Sequence, residues 1–216
     1  MLHRQPISVT LFVPVLPIKK SMENLLFDYL ARYMVLTADE KIAIIELNIF
    51  KKYKRGTVLL REGQITGACY FVLKGCIRCY YVMDGEEKTT AFYTESQSLS
   101  PLCSINNKPS EYFVSCVEDC ILTVGNAAME TEIFERFPRF ESLCRILSAE
   151  LLAKNQTEFG EFKISSPEIR YLNLLKSRPD LLQRVPQYQL ASYLGITAQS
   201  LSRLRSRMVV NSKNLV

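Results

Sequence analysis

The spacing of apolar positions divides the chain into a helical opening, a β-rich middle and a helical end. Helical periodicity from about residue 22 to residue 50 predicts a helical opening. From residue 51 to residue 124 the chain instead has short runs rich in β-branched and aromatic residues, separated by turn signals. Many short strands at this spacing predict an antiparallel sandwich or barrel. The predicted strands are TVLL, ACYFVLK, CIRCYYV, KTTAFY, EYFVS and CILTV.

One turn of the middle region is predicted in detail. Asp84-Gly85 lies between an apolar run and a polar one. A type I′ turn needs positive φ at both central residues, and Asp-Gly is among the pairs that supply it. The sequence therefore predicts a β-hairpin at this position.

Helical periodicity returns after the strands. EIFERF predicts a short helix that ends at Pro138, which suits the first position of a long helix to about Phe159. This helix could bury its apolar stripe on its own barrel or on the same helix of a second chain, and the near-heptad spacing favours the second. The stripe consists of Phe140, Leu143, Leu147 and Leu151, broadened by Ile146 and Ala153.

A further helix is predicted from Pro167 to Ser177. Ser165 or Ser166 can cap it, and proline suits its first position. Its predicted inward residues are Ile169, Leu172 and Leu175. A connecting turn is expected from Asp180 to Arg184.

Residues 187–207 predict a helix-turn-helix. A first helix from Gln187 carries Leu190, Ala191 and Leu194, and Gly195 ends it, since glycine tolerates a left-handed C-terminal conformation. Thr197 is the expected cap of a second helix, with Ile196, Leu201 and Leu204 directed inward. A small residue at the closest approach and a tight turn are what two steeply crossing helices require.

The outward side of the second helix carries side chains of the types that commonly contact DNA. Short polar side chains lie at its start, where a recognition helix meets base edges, and guanidinium groups follow. A solvated αα-hairpin is the structural alternative. The predicted DNA-binding residues are Gln187, Thr197, Ala198, Gln199, Ser200, Ser202, Arg203, Arg205 and Arg207.

The charge distribution supports a polyanionic partner for this part of the chain only. The net charge is +5, and residues 161–216 hold nine basic and three acidic groups. The other 160 residues hold 18 basic and 19 acidic groups, so the whole excess lies in the last quarter.

The remaining composition narrows the function classes. No apolar run approaches the roughly 20 residues of a membrane span. Seven scattered cysteines favour reduced core thiols in a cytoplasmic protein; the alternative is redox sensing. Cys76 and Cys79 lie in a predicted strand, where an odd offset directs them to opposite faces and disfavours chelation. With one histidine, His3, a metal-dependent β-barrel enzyme is disfavoured, so no catalytic residue, metal or cofactor is predicted.

The order of parts resembles the cyclic-AMP receptor protein / fumarate-nitrate regulator (Crp/Fnr) family of transcription factors. The resemblance rests on Gly63 in REGQ, Gly75 in LKGCIRCYY, the long helix and the helix-turn-helix, and it covers about residues 22–208. The stretch IRYLNLLKSRPDLLQRVPQYQLASYLGIT is most similar to members common in Bacteroidetes. The resemblance implies an α+β fold with an N-terminal cyclic-nucleotide-binding-like antiparallel β-roll (jelly roll), a long dimerisation helix and a C-terminal helix-turn-helix (winged-helix-like) domain.

The expected domains follow from this resemblance. They are a poorly ordered extension at 1–21, the β-roll at 22–137, the dimerisation helix at 138–160 and the DNA-binding domain at 161–216. The implied partners are double-stranded DNA with two half-sites about one helical turn apart, a second copy of the chain and RNA polymerase. The alternative is a dimeric ligand- or redox-sensing β-roll protein that has lost DNA binding.

The sequence departs from the family at the ligand site. Family members that bind cyclic nucleotides have a Gly-Glu pair and an Arg in this region, whereas here Ser100-Pro101 and Ser110-Glu111 occupy those places. The absence of these charge-assisted partners predicts that cyclic AMP does not bind. Ser100, Asn106 and Ser110 could line a polar pocket for another effector, or Asn106 and Ser110 could simply be turn residues.

Two other branches of the family are also disfavoured. No cysteine precedes Cys69, which argues against the iron–sulfur members, and His3 lies outside the predicted fold. After Arg207 only MVVNSKNLV remains, so a β-hairpin wing is expected to be reduced or missing.

Overall fold

The computed structural model describes residues 21–213, with side chains up to Met208. Most of the predicted extension at 1–21, including His3, therefore lies outside the described residues. The described chain contains eight strands and nine helices. The strands are β1 (Phe50–Tyr53), β2 (Val58–Leu60), β3 (Cys69–Lys74), β4 (Ile77–Met83), β5 (Glu86–Tyr93), β6 (Ser98–Leu99), β7 (Phe113–Cys116) and β8 (Cys120–Gly125). The helices are α1 (Met22–Leu30), α2 (Ala38–Glu46), α3 (Leu102–Asn106), α4 (Ala127–Arg136), α5 (Arg139–Ile164), α6 (Pro167–Ser177), α7 (Leu181–Arg184), α8 (Gln187–Tyr193) and α9 (Ala198–Lys213).

The strands form two four-stranded antiparallel sheets that face each other. Their orders are β1-β8-β3-β6 and β2-β7-β4-β5, and the strand crossovers give the predicted β-roll. The core between the sheets includes Leu60, Val72, Ile77, Val114 and Leu122, which are completely buried. Alternation along each strand directs these side chains inward and leaves the opposite face of each sheet free for other contacts.

The six predicted strands are confirmed, with ends shifted by a few residues. The Asp84-Gly85 hairpin is confirmed as well, because both residues have positive φ, 54° and 78°. The strands β1 and β6 were not predicted. The first has two lysines in four residues, and the second is only two residues long.

Cys76 and Cys79 lie on opposite faces, as predicted. Cys79 packs between the sheets, whereas Cys76 packs with the C-terminal helices. Burial raises the pKa of both thiols to about 12. Neither thiol is therefore appreciably ionised at neutral pH, which disfavours redox sensing by this pair.

The prediction of a helical opening is confirmed. Two helices, α1 and α2, are followed by strand β1, which begins at Phe50. The second helix starts anew because Thr37 and Glu40 form a capping box, in which each side chain binds the backbone N–H of the other residue.

The predicted use of the α5 stripe was wrong for its first half. Phe140 and Leu143 are buried against α1, α2 and β3 of the same chain, and Leu147 packs beside them. Pro138 caps α5 instead of forming its first residue, and the helix runs beyond 160 to Ile164. The preceding helix, α4, is longer than EIFERF and begins after Asn126, whose side chain caps it.

Helix α6 has the predicted bounds and the predicted cap, since Ser166 Oγ accepts a hydrogen bond from Ile169 N. Its buried residues are Tyr171 and Leu174, not Ile169, which is exposed. The predicted stripe was displaced because tyrosine was not counted as an inward residue. The predicted turn at Asp180–Arg184 contains the one-turn helix α7. No helix in the described range 21–213 is long and apolar enough to cross a membrane.

Glu40 joins the opening helices to α5. Its side chain is only 3% exposed and accepts hydrogen bonds from Arg139 and from the backbone N–H of Thr37. The hydrogen bonds from Arg139 lower the pKa of Glu40 despite the opposing effect of burial.

We expect Glu40→Gln to reduce the free energy of unfolding by about 1 kcal/mol at neutral pH, because the neutral amide cannot form the charge-assisted pair. A depressed folded-state pKa stabilises the protein above the unfolded-state pKa, and this stability is lost as the pH falls through the folded value. The difference between variant and wild type should therefore vanish in acid. Urea unfolding across the acid range measures it. Glu46→Gln, at an exposed carboxylate of the same helix, is the matched control, and an equal loss there would contradict the prediction.

Candidate nucleic-acid interface

The helix-turn-helix is built from α8, a four-residue turn and α9. Gly195 has a φ of 72°, a conformation that favours glycine. A Cβ at this position would also lie 3.2 Å from Nη1 of Arg170. Thr197 Oγ1 accepts a hydrogen bond from Ser200 N at 3.1 Å, so the predicted cap is present. These local contacts fix where the second helix begins.

The predicted inward residues hold the two helices together. Leu190, Ala191, Leu194, Leu201 and Leu204 are all at least 95% buried. They form one cluster with Tyr171 and Leu174 of α6 and Leu181 of α7. Packing against α6, α7 and α8 in this apolar cluster therefore fixes the orientation of α9.

The predicted DNA-binding side chains all lie on the exposed surface. With 3.6 residues per turn, the side opposite Leu201 and Leu204 is centred on Gln199, Ser202 and Arg203. Arg205 and Arg207 flank this centre on opposite sides. The exposed residues are Gln187, Thr197, Ala198, Gln199, Ser200, Ser202, Arg203, Arg205 and Arg207.

The helical period adds one residue to the predicted set. Ser206 is exposed and lies between Ser202 and Gln199 on the outward face. Its hydroxyl donates to Ser202 O at 3.1 Å, as serine hydroxyls within helices often do. The prediction overlooked it, although the spacing of Leu201 and Leu204 already placed it outward.

The segment after Arg207 continues as helix. Helix α9 extends to Lys213, and no hairpin follows it within the described residues. The expectation of a reduced or missing wing stays a prediction. The helix is longer than the predicted segment 197–207.

The helix-turn-helix is docked on the outer face of the β2-β7-β4-β5 sheet. Ser192 Oγ accepts a hydrogen bond from Thr89 N at 2.9 Å and donates to Glu87 O at 3.2 Å. Arg178 donates to Phe92 O at 2.9 Å and to Thr94 Oγ1 at 3.0 Å. Backbone groups of β5 thus hold two helices of the C-terminal domain.

Arg184 provides the strongest charged contact across this junction. Its guanidinium pairs with Glu95 at 2.8 Å, with Glu118 at 2.5 Å and with Asp180 at 3.2 Å. Burial opposes ionisation of Glu95, but the hydrogen bonds from Arg184 and Gly75 N outweigh it and lower the pKa of this carboxyl. The hydrogen bonds with Glu95 and Glu118 in turn raise the pKa of Arg184. Charge on both sides of the junction therefore favours the docked arrangement.

The predicted ligand residues lie around α3, in the connection between β6 and β7. Ser100 is exposed and precedes the short helix. Asn106 Oδ1 accepts a hydrogen bond from Lys108 N at 3.0 Å, and Ser110 Oγ donates to Tyr112 O at 2.8 Å. Both contacts are of the turn-forming kind, which favours the alternative of turn residues for Asn106 and Ser110. Ligand contact by these three residues stays a prediction.

Comparison with known proteins agrees with this arrangement. Residues 50–137 match the family model of the cyclic nucleotide-binding domain. A similar solved structure is that of the c-di-GMP responsive global regulator CLP of Xanthomonas campestris, with a TM-score of 0.61 and 15% identity over 82% of this chain and 93% of that one. The chain has the fold of a Crp/Fnr regulator. FixK2 of Bradyrhizobium japonicum is also similar, with a TM-score of 0.60 and 15% identity over 76% and 85% of the two chains.

The Crp/Fnr resemblance drawn from the sequence is thus confirmed for the fold. A CooA variant of Carboxydothermus hydrogenoformans is a further neighbour, with a TM-score of 0.57 and 18% identity over 73% of this chain and 74% of that one. No curated protein sequence matches the chain significantly. The closer similarity to Bacteroidetes members stays a prediction. The cyclic nucleotide-binding fold does not bring with it the missing Gly-Glu and Arg groups, so cyclic AMP is still predicted not to bind.

Proposed function

We propose that the chain is a homodimeric transcriptional regulator of the Crp/Fnr type that binds a palindromic DNA operator. The observation that carries this proposal is the outward face of α9. Gln199 and Arg203 lie at its centre and Arg205 and Arg207 at its sides, all exposed on a rigid helix. Amide and guanidinium groups can bind base edges, and flanking guanidinium groups can bind phosphates on both sides of a groove.

The charge of the segment that contains α8 and α9 also supports DNA as the partner. From Gln187 to the last residue the sequence contains no acidic residue. A duplex approaching α9 therefore meets no local repulsion, and neutralised phosphates would release counterions. A solvated hairpin would not require such a one-sided composition.

Dimerisation is proposed through the second half of α5. Leu152 and Phe159 are both 61% exposed, and they are seven residues apart on one side of the helix. Exposed apolar residues at this spacing are typical of a helix that packs against its own copy. A twofold pair of α9 helices would then match a twofold operator.

The alternative is a dimeric sensor without DNA binding. A sensor that works through Cys76 and Cys79 is disfavoured by the raised pKa of both thiols. A ligand sensor would have no use for a row of exposed arginines. The proposal also includes a cytoplasmic location and RNA polymerase as a partner, and no enzymatic activity. No cluster of three potential metal ligands occurs among the described residues.

Selection of bound duplexes from a random-sequence DNA pool tests the proposal directly. We expect an inverted repeat with half-sites about one helical turn apart. Enrichment of no sequence at moderate salt, combined with binding that stays weak at low salt, would contradict it. A sensor that does not bind DNA would enrich no sequence and would bind weakly even at low salt.

A further inference from the structure

A cleft of about 280 Å³ lies between the β-roll and the helix-turn-helix. One wall is the outer face of the β2-β7-β4-β5 sheet, with Arg78, Tyr80 and Ser115. The other wall is the start of α8, with Tyr188 and Gln189. The cleft is separate from the interior of the roll, because Ile77 and Cys79 fill that interior and their neighbour Arg78 points to the opposite face.

Arg78 is a buried charge with an unused donor. Only 4% of its side chain is exposed, and its guanidinium stacks 4.0 Å from the centre of the Tyr80 ring. Nη2 pairs with Glu87 at 2.5 Å, and Nη1 lies 3.5 Å from Thr89 Oγ1. Nε is buried and has no hydrogen-bond partner among the described residues. A buried guanidinium normally has its donors satisfied.

Gln189 presents an unused acceptor in the same cleft. The residue is 9% exposed, and its Nε2 donates to Tyr188 Oη at 3.1 Å. Its Oε1 is buried and has no partner among the described residues. One cleft is thus lined by a cationic side chain on the sheet and a neutral side chain on α8, and each has one buried polar atom without a partner in the part of the chain that the structure describes.

The charge of the cleft favours an anion. Arg55 and Arg78 line it together with a single carboxylate, that of Glu87. Glu87 already pairs with Arg78, so Arg55 supplies the net positive charge at the mouth. A ligand that satisfied both unused groups would need an anionic oxygen for Arg78 and a hydrogen-bond donor for Gln189.

We propose that this cleft binds a small hydroxylated oxyanion, with the carboxylate or phosphate group at Arg78 and the hydroxyl group at Gln189. Such a molecule bridges the β2-β7-β4-β5 sheet and α8, so its binding stabilises the docked arrangement. The regulatory consequence rests on the proposed DNA-binding function, whereas binding itself does not.

Isothermal titration calorimetry of the full chain tests the site with glycerol 3-phosphate and glycerate. These probes share a hydroxylated three-carbon frame and distinguish a phosphate from a carboxylate. Glycerol is the uncharged control, and potassium chloride controls for ionic strength. We expect one of the two anions to bind once per chain, and glycerol and chloride to give no binding heat.

Two variants on opposite walls locate the binding. Arg78→Gln and Gln189→Leu should each weaken the binding roughly tenfold, since each removes one of the two groups that hold the ligand. Arg61→Gln, at an exposed arginine outside the cleft, should leave it unchanged. If Arg78→Gln impairs folding, Gln189→Leu decides. The proposal is overturned if neither anion binds, or if binding is equal in wild type and Gln189→Leu. DNA affinity measured without a probe separates this failure from a failure of the proposed function.

Discussion

Replacing Arg203 and Arg207 together by alanine is expected to lower the affinity for duplex DNA about 100-fold at physiological salt. Each protomer loses two exposed guanidinium groups from the outward side of α9, and a dimer loses four. The logarithm of the affinity should also depend less steeply on the logarithm of the salt concentration, by about 0.9 for each DNA phosphate that the variant no longer neutralises. Fluorescence anisotropy with a labelled duplex at several salt concentrations measures both quantities.

The control for this prediction removes the same charge elsewhere. Lys51 and Lys52 are exposed on β1, in the β-roll, and their double alanine variant leaves α9 intact. We expect it to change the affinity by less than threefold, roughly the effect of long-range screened charge. Equal losses in the two double variants would show that only net charge attracts DNA. No loss in the Arg203/Arg207 variant would favour a sensor that does not bind DNA.

The outward face of α9 could be predicted from the sequence because the contacts that form it are local. Gly195 and the Thr197 cap determine the turn and the start of α9, and each acts within a few residues. Leu201 and Leu204 then determine which side of the helix faces outward. A segment of twenty residues thus contains nearly all the information needed to orient the predicted side chains.

The errors came from contacts that periodicity does not encode. Phe140 and Leu143 have the spacing of a dimer seam, yet α1, α2 and β3 of the same chain cover them. A stripe states that a face is buried but not by which partner. Tyr171 was left out of the inward side of α6 because tyrosine occurs on both surfaces and interiors.

The junction between the domains could not be predicted from the sequence. Arg184 pairs with Glu95 across 89 residues, and Ser192 binds Thr89 across 103. Arginine and serine occur on most surfaces, and nothing in their neighbours indicates these partners. The same holds for the cleft at Arg78, which exists only because two distant segments meet there.

Docking places the β-roll in direct contact with the helix-turn-helix. The cluster of apolar residues under α8 and α9 also includes Cys76, Phe92 and Val117 of the roll. Side chains of the roll therefore pack directly with the helix-turn-helix, without an intervening contact from α5. We expect the charged contacts to determine the stability of this docked arrangement, because apolar side chains pack about equally well against many partners.

Arg184→Ala is expected to reduce the free energy of unfolding of the docked domain by about 3 kcal/mol. The variant leaves Glu95 and Glu118 without the guanidinium that they share, so docking removes water from two carboxylates that this guanidinium no longer neutralises. Because the lowered pKa of Glu95 stabilises the docked form above its unfolded-state pKa, the wild type should lose this stability as the pH falls. The variant should show a shallower dependence on pH. Urea unfolding followed by circular dichroism across the acid range measures both effects.

Two comparisons isolate the charged contact from a general loss of stability. Arg136→Ala removes an exposed pair with Glu46 and should cost no more than about 1 kcal/mol. In a background with Glu95→Gln and Glu118→Gln, Arg184→Ala should cost far less than in the wild type, because no carboxylate pair is left unneutralised. If Arg184→Ala costs the same free energy in both backgrounds, Arg184 contributes through packing. The apolar cluster alone then holds α8 and α9 on the β2-β7-β4-β5 sheet.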